Sequence, residues 1–316
     1  MGREEQKKEE ASLRGRTARE IVRVANHLPV LGSMRLNGEL QNLIRDREKE
    51  WRYPDAIRHS LIRQPEYVME LLENAGEERE PSEKPVILMF HGGGYYGKLH
   101  NAYRAMAVHY HEITGGFDVC SVDYRVAPEH PFPAAHMDSI SAYQWLLGRG
   151  YLPEHIVVCG DSAGGGLSLA LCLYLRDHAL PLPAGIVTMS AWTDLTKSGD
   201  SYQENFDRDP IFGGTRHTMV YKEGYYLNHD PALPYISPVY GSFEQFPPML
   251  MQAGSLEMLL DDTLSVAARA KAAGVKVRSH IYPGMFHVFQ MGLSSFPESR
   301  EAWEEISHFI RIVIHT

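Results

Sequence analysis

A serine lies among small residues in the pentapeptide "GDSAG" at positions 160–164. The apolar run "HIVVCG" at 155–160 precedes it, and a segment of helical period follows it. A Gly-x-Ser-x-Gly sequence between a strand and a helix is typical of a sharp turn that presents a nucleophilic hydroxyl, here that of Ser162. The alternative is an ordinary tight turn with an incidental serine, which the strand and helix context disfavours.

A nucleophilic serine needs a neighbouring imidazole to take its proton. Four histidines follow the fifth strand candidate: His280 lies in a strand pattern, His308 on a C-terminal helical pattern and His315 in the tail. His287, in "PGMFHVF", is the one on a loop that could reach the serine. We therefore predict that His287 is the general acid and base.

An acid must orient that imidazole, and "AGSLEMLLDD" offers three candidates. Glu257 falls in the loop at the carboxyl edge of the predicted sheet. Asp261 and Asp262 fall in the first turn of the next helix, where carboxylates are favoured without any catalytic role. Glu257 is our predicted orienting acid, with Asp261 as the alternative.

Three glycines follow a histidine in "HGGG" at 91–94, directly after the apolar run "VILMF". Attack on an ester carbonyl creates an oxyanion, which backbone amides can approach where no Cβ intervenes. We expect the amides of Gly92, Gly93 and Ala163 to form this oxyanion hole. A phosphate-binding loop is the competing interpretation, but the segment lacks the required Lys-Ser/Thr continuation.

Apolar runs alternate with segments of helical period from residue 86 onward, which predicts an α/β fold with a mostly parallel central sheet flanked by helices. The strand candidates are 86–90, 117–124, 155–160, 185–190, 248–254 and 275–282. The helix candidates are 101–113, 135–148, 163–179, 259–273 and a C-terminal helix. Residues 1–50 and 197–235 do not fit the alternation, and we expect both to lie over the top of a single domain, 51–316.

The composition excludes several classes of protein. Among 316 residues, 44% are hydrophobic and the net charge is −9, which argues against a nucleic-acid surface. The N-terminal sequence lacks a signal-peptide pattern, and no apolar stretch is long enough for stable membrane insertion. The three cysteines lack disulfide or metal-ligand spacing, so we expect a cytoplasmic setting, no metal and no cofactor.

The motifs resemble those of the hormone-sensitive-lipase-like carboxylesterases, the bacterial HGGG-type family IV of the α/β-hydrolase superfamily. "HGGG", "GDSAG", the histidine loop and "VDYRVAPEHPFPAA" at 122–135 carry the likeness, which spans about residues 86–290. The resemblance implies an α/β-hydrolase fold with a helical cap from the N-terminal segment and the 197–235 insertion. It also implies a serine carboxylesterase that cleaves small esters of short to medium chain through an acyl-enzyme, and a homodimer through edge strand 275–282.

The chain departs from the family pattern in places. Glu257 stands where aspartate is usual, Ala191 stands where proline is common, and the first 80 residues match poorly. Alternatives are a lactone hydrolase with the same triad and a non-catalytic ligand-binding receptor on the same scaffold. For the substrate pocket we name three aromatic residues, Tyr95, Trp192 and Phe212, although aromatic residues near strand ends are more often part of the core.

Overall fold

Eight strands form one sheet within residues 11–27 and 50–315, the part of the chain that the computed structural model describes. The strands are Ile57–Arg63 (β1), Val68–Asn74 (β2), Val86–Phe90 (β3), Asp118–Asp123 (β4), Ile156–Asp161 (β5), Gly185–Met189 (β6), Met249–Gly254 (β7) and Val277–Tyr282 (β8). Their order across the sheet is β1-β2-β4-β3-β5-β6-β7-β8. β1 and β2 are antiparallel to their neighbours, whereas the pairs from β4 to β8 are parallel.

Seven α-helices lie in the same described residues. They are Leu13–His27 (α1), Asn101–Thr114 (α2), Ala134–Gly148 (α3), Ser162–Asp177 (α4), the single turn Ser201–Glu204 (α5), Leu260–Ala272 (α6) and Pro297–Ile314 (α7). None of the helices described in 11–27 and 50–315 combines the length and the apolar composition of a membrane crossing.

The helices cover both faces of the sheet, which explains why the central strands are apolar throughout. Alternate residues of β3 point to opposite faces: Leu88 packs in the cluster that includes α3 and α4, and Ile87 in the cluster that includes α2 and α7. Every residue of β3, β5, β6 and β7 is buried. Parallel strands covered on both faces read as continuous apolar runs, so the predicted mostly parallel sheet is confirmed.

The two antiparallel strands at one edge, β1 and β2, lie outside the predicted strands. β1 reads "IRHSLIR" and alternates between buried or half-buried and exposed positions over most of its length. Its apolar residues are few, because one face of an edge strand can remain polar.

The N-terminal segment lies partly outside the described residues, since only 11–27 of 1–50, together with residue 50, are described. Within it, helix α1 packs Ala18 and Val22 against an apolar cluster that includes Met285, Phe289 and Phe296. Residues between β6 and β7, which include the 197–235 insertion, contain α5 and short 3-10 turns.

Candidate active site

Ser162 lies at the junction where β5 ends and α4 begins. Its φ of 50° is in the left-handed region, which a non-glycine residue rarely occupies. The turn is also tightly packed, since a Cβ on Gly164 would lie 2.1 Å from the carbonyl oxygen of Phe90. Small residues around the serine therefore let strand and helix approach closely while the side chain of Ser162 projects from the corner.

The structure brings the three predicted triad residues together. Nε2 of His287 lies 2.9 Å from Oγ of Ser162, and Nδ1 of His287 lies 3.2 Å from Oε2 of Glu257. Glu257 is fully buried, and His287 and Ser162 are 7% and 5% exposed. The arrangement can pass a proton from the hydroxyl to an imidazole whose charged form faces a carboxylate.

The alternative acid, Asp261, has a different partner. Its Oδ2 accepts the backbone N–H of Ser201 at 2.8 Å, which ties the first turn of α6 to α5. Asp262 accepts the amides of Thr193 and Asp194 at 2.7 and 2.8 Å. Both aspartates thus hold the chain that follows β6.

The glycine loop differs from the sequence prediction at Gly92. Its amide donates to Oδ1 of Asp161 at 3.0 Å, so this N–H already has a protein acceptor. The sequence could not reveal this contact, because Asp161 belongs to another motif. Within the described part of the chain, the amides of Gly93 and Gly94 donate to no protein group, and both residues have positive φ.

Asp161, the residue before the nucleophile, was missed by the sequence analysis. Besides the Gly92 amide, it accepts the hydroxyl of Tyr103 at 3.3 Å. Burial raises the pKa of this carboxyl to about 7, although the charge of His287 and both hydrogen bonds oppose the increase. The acidic residue before the serine of the Gly-x-Ser-x-Gly motif, together with the separate glycine run at 92–94, is the sequence signal that could have indicated the contact between Asp161 and Gly92.

A cavity of about 440 Å³ opens beside Ser162. Phe212, predicted to bind substrate, lies at this cavity, with its ring centroid 4.6 Å from that of His287. Tyr103 of α2 and Asp161 of β5 also line it, and the other lining side chains are mainly apolar. Those apolar side chains come from α1, from the chain between β6 and β7, and from the histidine loop and the chain after it. They include Ala18, Ile21, Val22, Ile211, Met219, Phe286, Val288, Phe289 and Phe296.

Two of the predicted pocket residues belong to the core instead. Tyr95 and Trp192 are each 1% exposed and do not lie among the residues that line the cavity. Tyr95 stacks on Tyr225 with ring centroids 3.7 Å apart, and its ring lies 6.1 Å from that of Trp192. Both side chains belong to a buried cluster in which aromatic rings pack against one another.

No group of three or more His, Cys, Asp or Glu side chains suited to a metal ion occurs in residues 11–27 and 50–315.

Residues 87–291 match the family model described as alpha/beta hydrolase fold. An esterase of Acinetobacter venetianus is 36% identical over 244 residues, which cover 74% of this chain and 78% of the relative. An acetyl-hydrolase of Streptomyces hygroscopicus is 37% identical over 225 residues, which cover 71% of this chain and 75% of the relative.

Solved structures are similar over almost the whole chain. The crystal structure of an esterase from the bacterial hormone-sensitive lipase (HSL) family has a TM-score of 0.82 at 33% identity, over 96% of this chain and 99% of that one. The crystal structure of EstE5 soaked with p-nitrophenyl butyrate has a TM-score of 0.83 at 31% identity, over 97% of this chain and 100% of that one.

Proposed function

We propose that Ser162, His287 and Glu257 are the catalytic triad of this chain, which belongs to the alpha/beta hydrolase fold family and is a carboxylesterase of the HSL-like kind. The observation that carries the proposal is the continuous contact from the hydroxyl of Ser162 through both ring nitrogens of His287 to the carboxylate of Glu257. The predicted α/β-hydrolase fold and carboxylesterase activity are confirmed by the relatives and the family match.

In the first half of the reaction, Oγ of Ser162 attacks the ester carbonyl and its proton passes to Nε2 of His287. Glu257 stabilises the imidazolium through Nδ1. The tetrahedral intermediate then breaks its bond to the alcohol oxygen, which leaves with the proton from Nε2. Ser162 remains acylated.

In the second half, a water molecule attacks the acyl carbonyl and gives its proton to Nε2 of His287. The bond to Oγ of Ser162 breaks, the serine recovers that proton and the carboxylic acid is released. One imidazole therefore acts as base and then as acid in each half.

We assign the oxyanion hole to the amides of Gly93, Gly94 and Ala163, in place of the predicted set with Gly92. The amides of Gly93 and Gly94 donate a hydrogen bond to no protein group among the described residues, and Gly93 lines the cavity. Ala163 lies in the first turn of α4, where amides lack partners within the helix. Gly92 instead anchors the loop to Asp161.

The cap is a further part of the proposal. Helix α1 and the 197–235 insertion are distant in the sequence, yet both contribute apolar side chains to the cavity, Ala18 and Val22 from the former and Phe212 and Met219 from the latter. A cavity of about 440 Å³ lined in this way suits esters of short to medium acyl chain and a neutral alcohol.

A homodimer through β8 is proposed on the position of that strand, which is the last in the sheet. An outer strand can extend its hydrogen bonding to a second copy. Replacing Ser279 in β8 with proline should then convert a dimer into a monomer in sedimentation velocity, whereas a wild-type monomer at all concentrations would contradict the assembly.

The test of the catalytic assignment is the hydrolysis of p-nitrophenyl esters and a lactone by the wild type, Ser162→Ala and Ser139→Ala. Ser139 is a buried serine of α3 whose hydroxyl donates to a backbone carbonyl, so its variant is a matched control. We expect a burst and turnover in the wild type and the control, and neither in Ser162→Ala. Turnover by Ser162→Ala that resembles the wild type would refute the proposed triad.

A further inference from the structure

Ser190 is buried directly beyond the end of β6 and has the left-handed φ of 51°. Its amide donates to the carbonyl of Gln252 at 2.7 Å, which continues the pairing of β6 with β7 by one residue. A non-glycine residue in this conformation costs free energy, and such residues cluster where surrounding contacts hold a functional geometry. Ser190 shares the conformation with Ser162 and with Val288, the residue after His287.

The hydroxyl of Ser190 makes two hydrogen bonds, one to the proposed triad and one to the residue after His287. It donates to Oε1 of Glu257 at 2.7 Å and accepts the backbone N–H of Val288 at 2.9 Å. One side chain therefore joins the carboxylate of the acid to the backbone of the loop that carries the imidazole.

The carboxylate of Glu257 is consequently held at one oxygen by two donors, the hydroxyl of Ser190 and the amide of Gly254. Its other oxygen, Oε2, faces Nδ1 of His287. Because Glu257 has no exposed surface, water cannot replace a lost donor without rearrangement. The two donors fix which oxygen meets the imidazole.

We propose that Ser190 is a positioning residue for ester hydrolysis. Its hydroxyl holds the carboxylate of Glu257 and the loop that carries His287 in a fixed position relative to each other. This inference rests on the proposed triad. Ser190 itself is fully buried and touches the reacting atoms only through Glu257 and the Val288 amide.

The experiment compares Ser190→Ala and Ser190→Gly with the wild type. Both variants lack the hydroxyl, but glycine adopts the left-handed conformation without strain, so Ser190→Gly is expected to fold even if Ser190→Ala does not. We expect kcat to fall by about 10-fold to 100-fold in both, with a much smaller change in KM, as for loss of a buried hydrogen bond to a charged group. Ser121→Ala removes another buried serine hydroxyl, on β4, and should leave kcat unchanged.

A second measurement separates positioning from general destabilisation. The proton on Nδ1 of His287, recorded by NMR, reports the hydrogen bond to Glu257, and we expect its resonance to move or broaden in folded Ser190→Gly. A wild-type kcat in that variant, or a reduced kcat with an unchanged resonance, would overturn the proposal. Ser162→Ala separates the test of the triad from the test of Ser190. If Ser162→Ala is inactive while Ser190→Gly has full activity, the proposed triad is supported and the positioning role of Ser190 is refuted.

Discussion

Among single residues, Asp161 is a carboxyl group whose surroundings disfavour its charge. It lies between the nucleophile turn and the glycine loop, is 2% exposed and has a pKa raised to about 7, chiefly because burial removes it from water. Its two donors, the Gly92 amide and the Tyr103 hydroxyl, compensate for part of this loss. The residue therefore links two motifs at a cost in stability when it is ionised.

Because ionised Asp161 lowers the stability of the fold, we predict that Asp161→Asn changes the free energy of unfolding in a pH-dependent way. Since the pKa is raised from 3.8 to about 7 on folding, the native wild type binds more protons than the unfolded chain in that window, and its stability falls as the pH rises through it. Asparagine can still accept the Gly92 amide but does not titrate. The free energy of unfolding of the variant relative to the wild type should therefore increase between about pH 4 and pH 7 and level off above, by on the order of 4 kcal/mol.

Urea denaturation of both proteins across this pH range would measure the effect. A difference between variant and wild type that stays constant with pH would mean that Asp161 does not titrate in this window.

The identity of the orienting acid can be tested by Glu257→Gln and Asp261→Asn. Glutamine cannot stabilise the imidazolium of His287, so kcat with p-nitrophenyl butyrate should fall about 10³-fold to 10⁴-fold. Asparagine at 261 still accepts the Ser201 amide that Asp261 accepts now, and kcat should change little. A larger loss in Asp261→Asn than in Glu257→Gln would reverse the assignment.

The sequence predicted Ser162, His287 and Glu257 because each stands in a local pattern with a recognisable role. It did not reveal two contacts of the candidate residues Gly92 and Tyr95: the hydrogen bond of the Gly92 amide to Asp161 and the stacking of Tyr95 on Tyr225. Contacts between distant motifs decide which of two neighbouring glycine amides has an acceptor and whether an aromatic side chain lies in the pocket or in the core. Such contacts leave no periodic signal in the sequence.

Among the elements, the junction of β5 and α4 depends on close approach of backbones. A Cβ on Gly164 would lie 2.1 Å from the carbonyl oxygen of Phe90 and 2.5 Å from that of His91, and backbone atoms cannot yield as a flexible side chain can. The strand that precedes the glycine loop and the helix that follows the nucleophile are thus in direct contact.

Gly164→Ala is therefore expected to lower the free energy of unfolding by about 1–3 kcal/mol or more, as overpacking does, and to displace the turn. Gly148→Ala is the matched control, because Gly148 ends α3, a Cβ at this position would have no atom within 4 Å, and alanine favours helix. Chemical denaturation would compare the two, and equal stability of Gly164→Ala and wild type would contradict the close packing.

The strands show which elements can be predicted from a local sequence pattern. β3 to β8 were predicted within about two residues at each end. For β3, β5, β6 and β7 the reason is that strands buried on both faces read as continuous, mainly apolar runs, whereas the outer strand β8 is only half-buried over most of its length. β1 was missed because "IRHSLIR" places polar residues on the exposed side, and its partner β2 carries glutamates that pair with Arg104 and Lys84. These two strands are therefore determined by contacts with residues elsewhere in the chain and not by a local sequence pattern.

In the whole molecule, helix α1 is held over the site by contacts with distant parts of the chain. The hydroxyl of Ser12 donates to Glu298 at the start of α7 at 2.9 Å, and the amide group of Asn26 donates to the carbonyl of Pro210. These partners are separated by 286 and 184 residues along the chain. The position of α1 therefore depends on the completed fold, which explains why the sequence did not place its residues at the cavity.

This placement predicts that α1 limits the acyl length of the substrate. Ala18 lines the cavity, whereas Thr17 is exposed on the same helix. Ala18→Leu should fill part of the space and lower kcat/KM for an octanoyl ester by about 10-fold or more, while an acetyl ester is cleaved at close to the wild-type rate. Thr17→Leu adds the same side chain outside the cavity and should leave both substrates unaffected. Steady-state kinetics with p-nitrophenyl esters of increasing chain length would measure the change, and equal losses on the acetyl and octanoyl esters in Ala18→Leu would show that α1 acts on the triad and not on the length of the pocket.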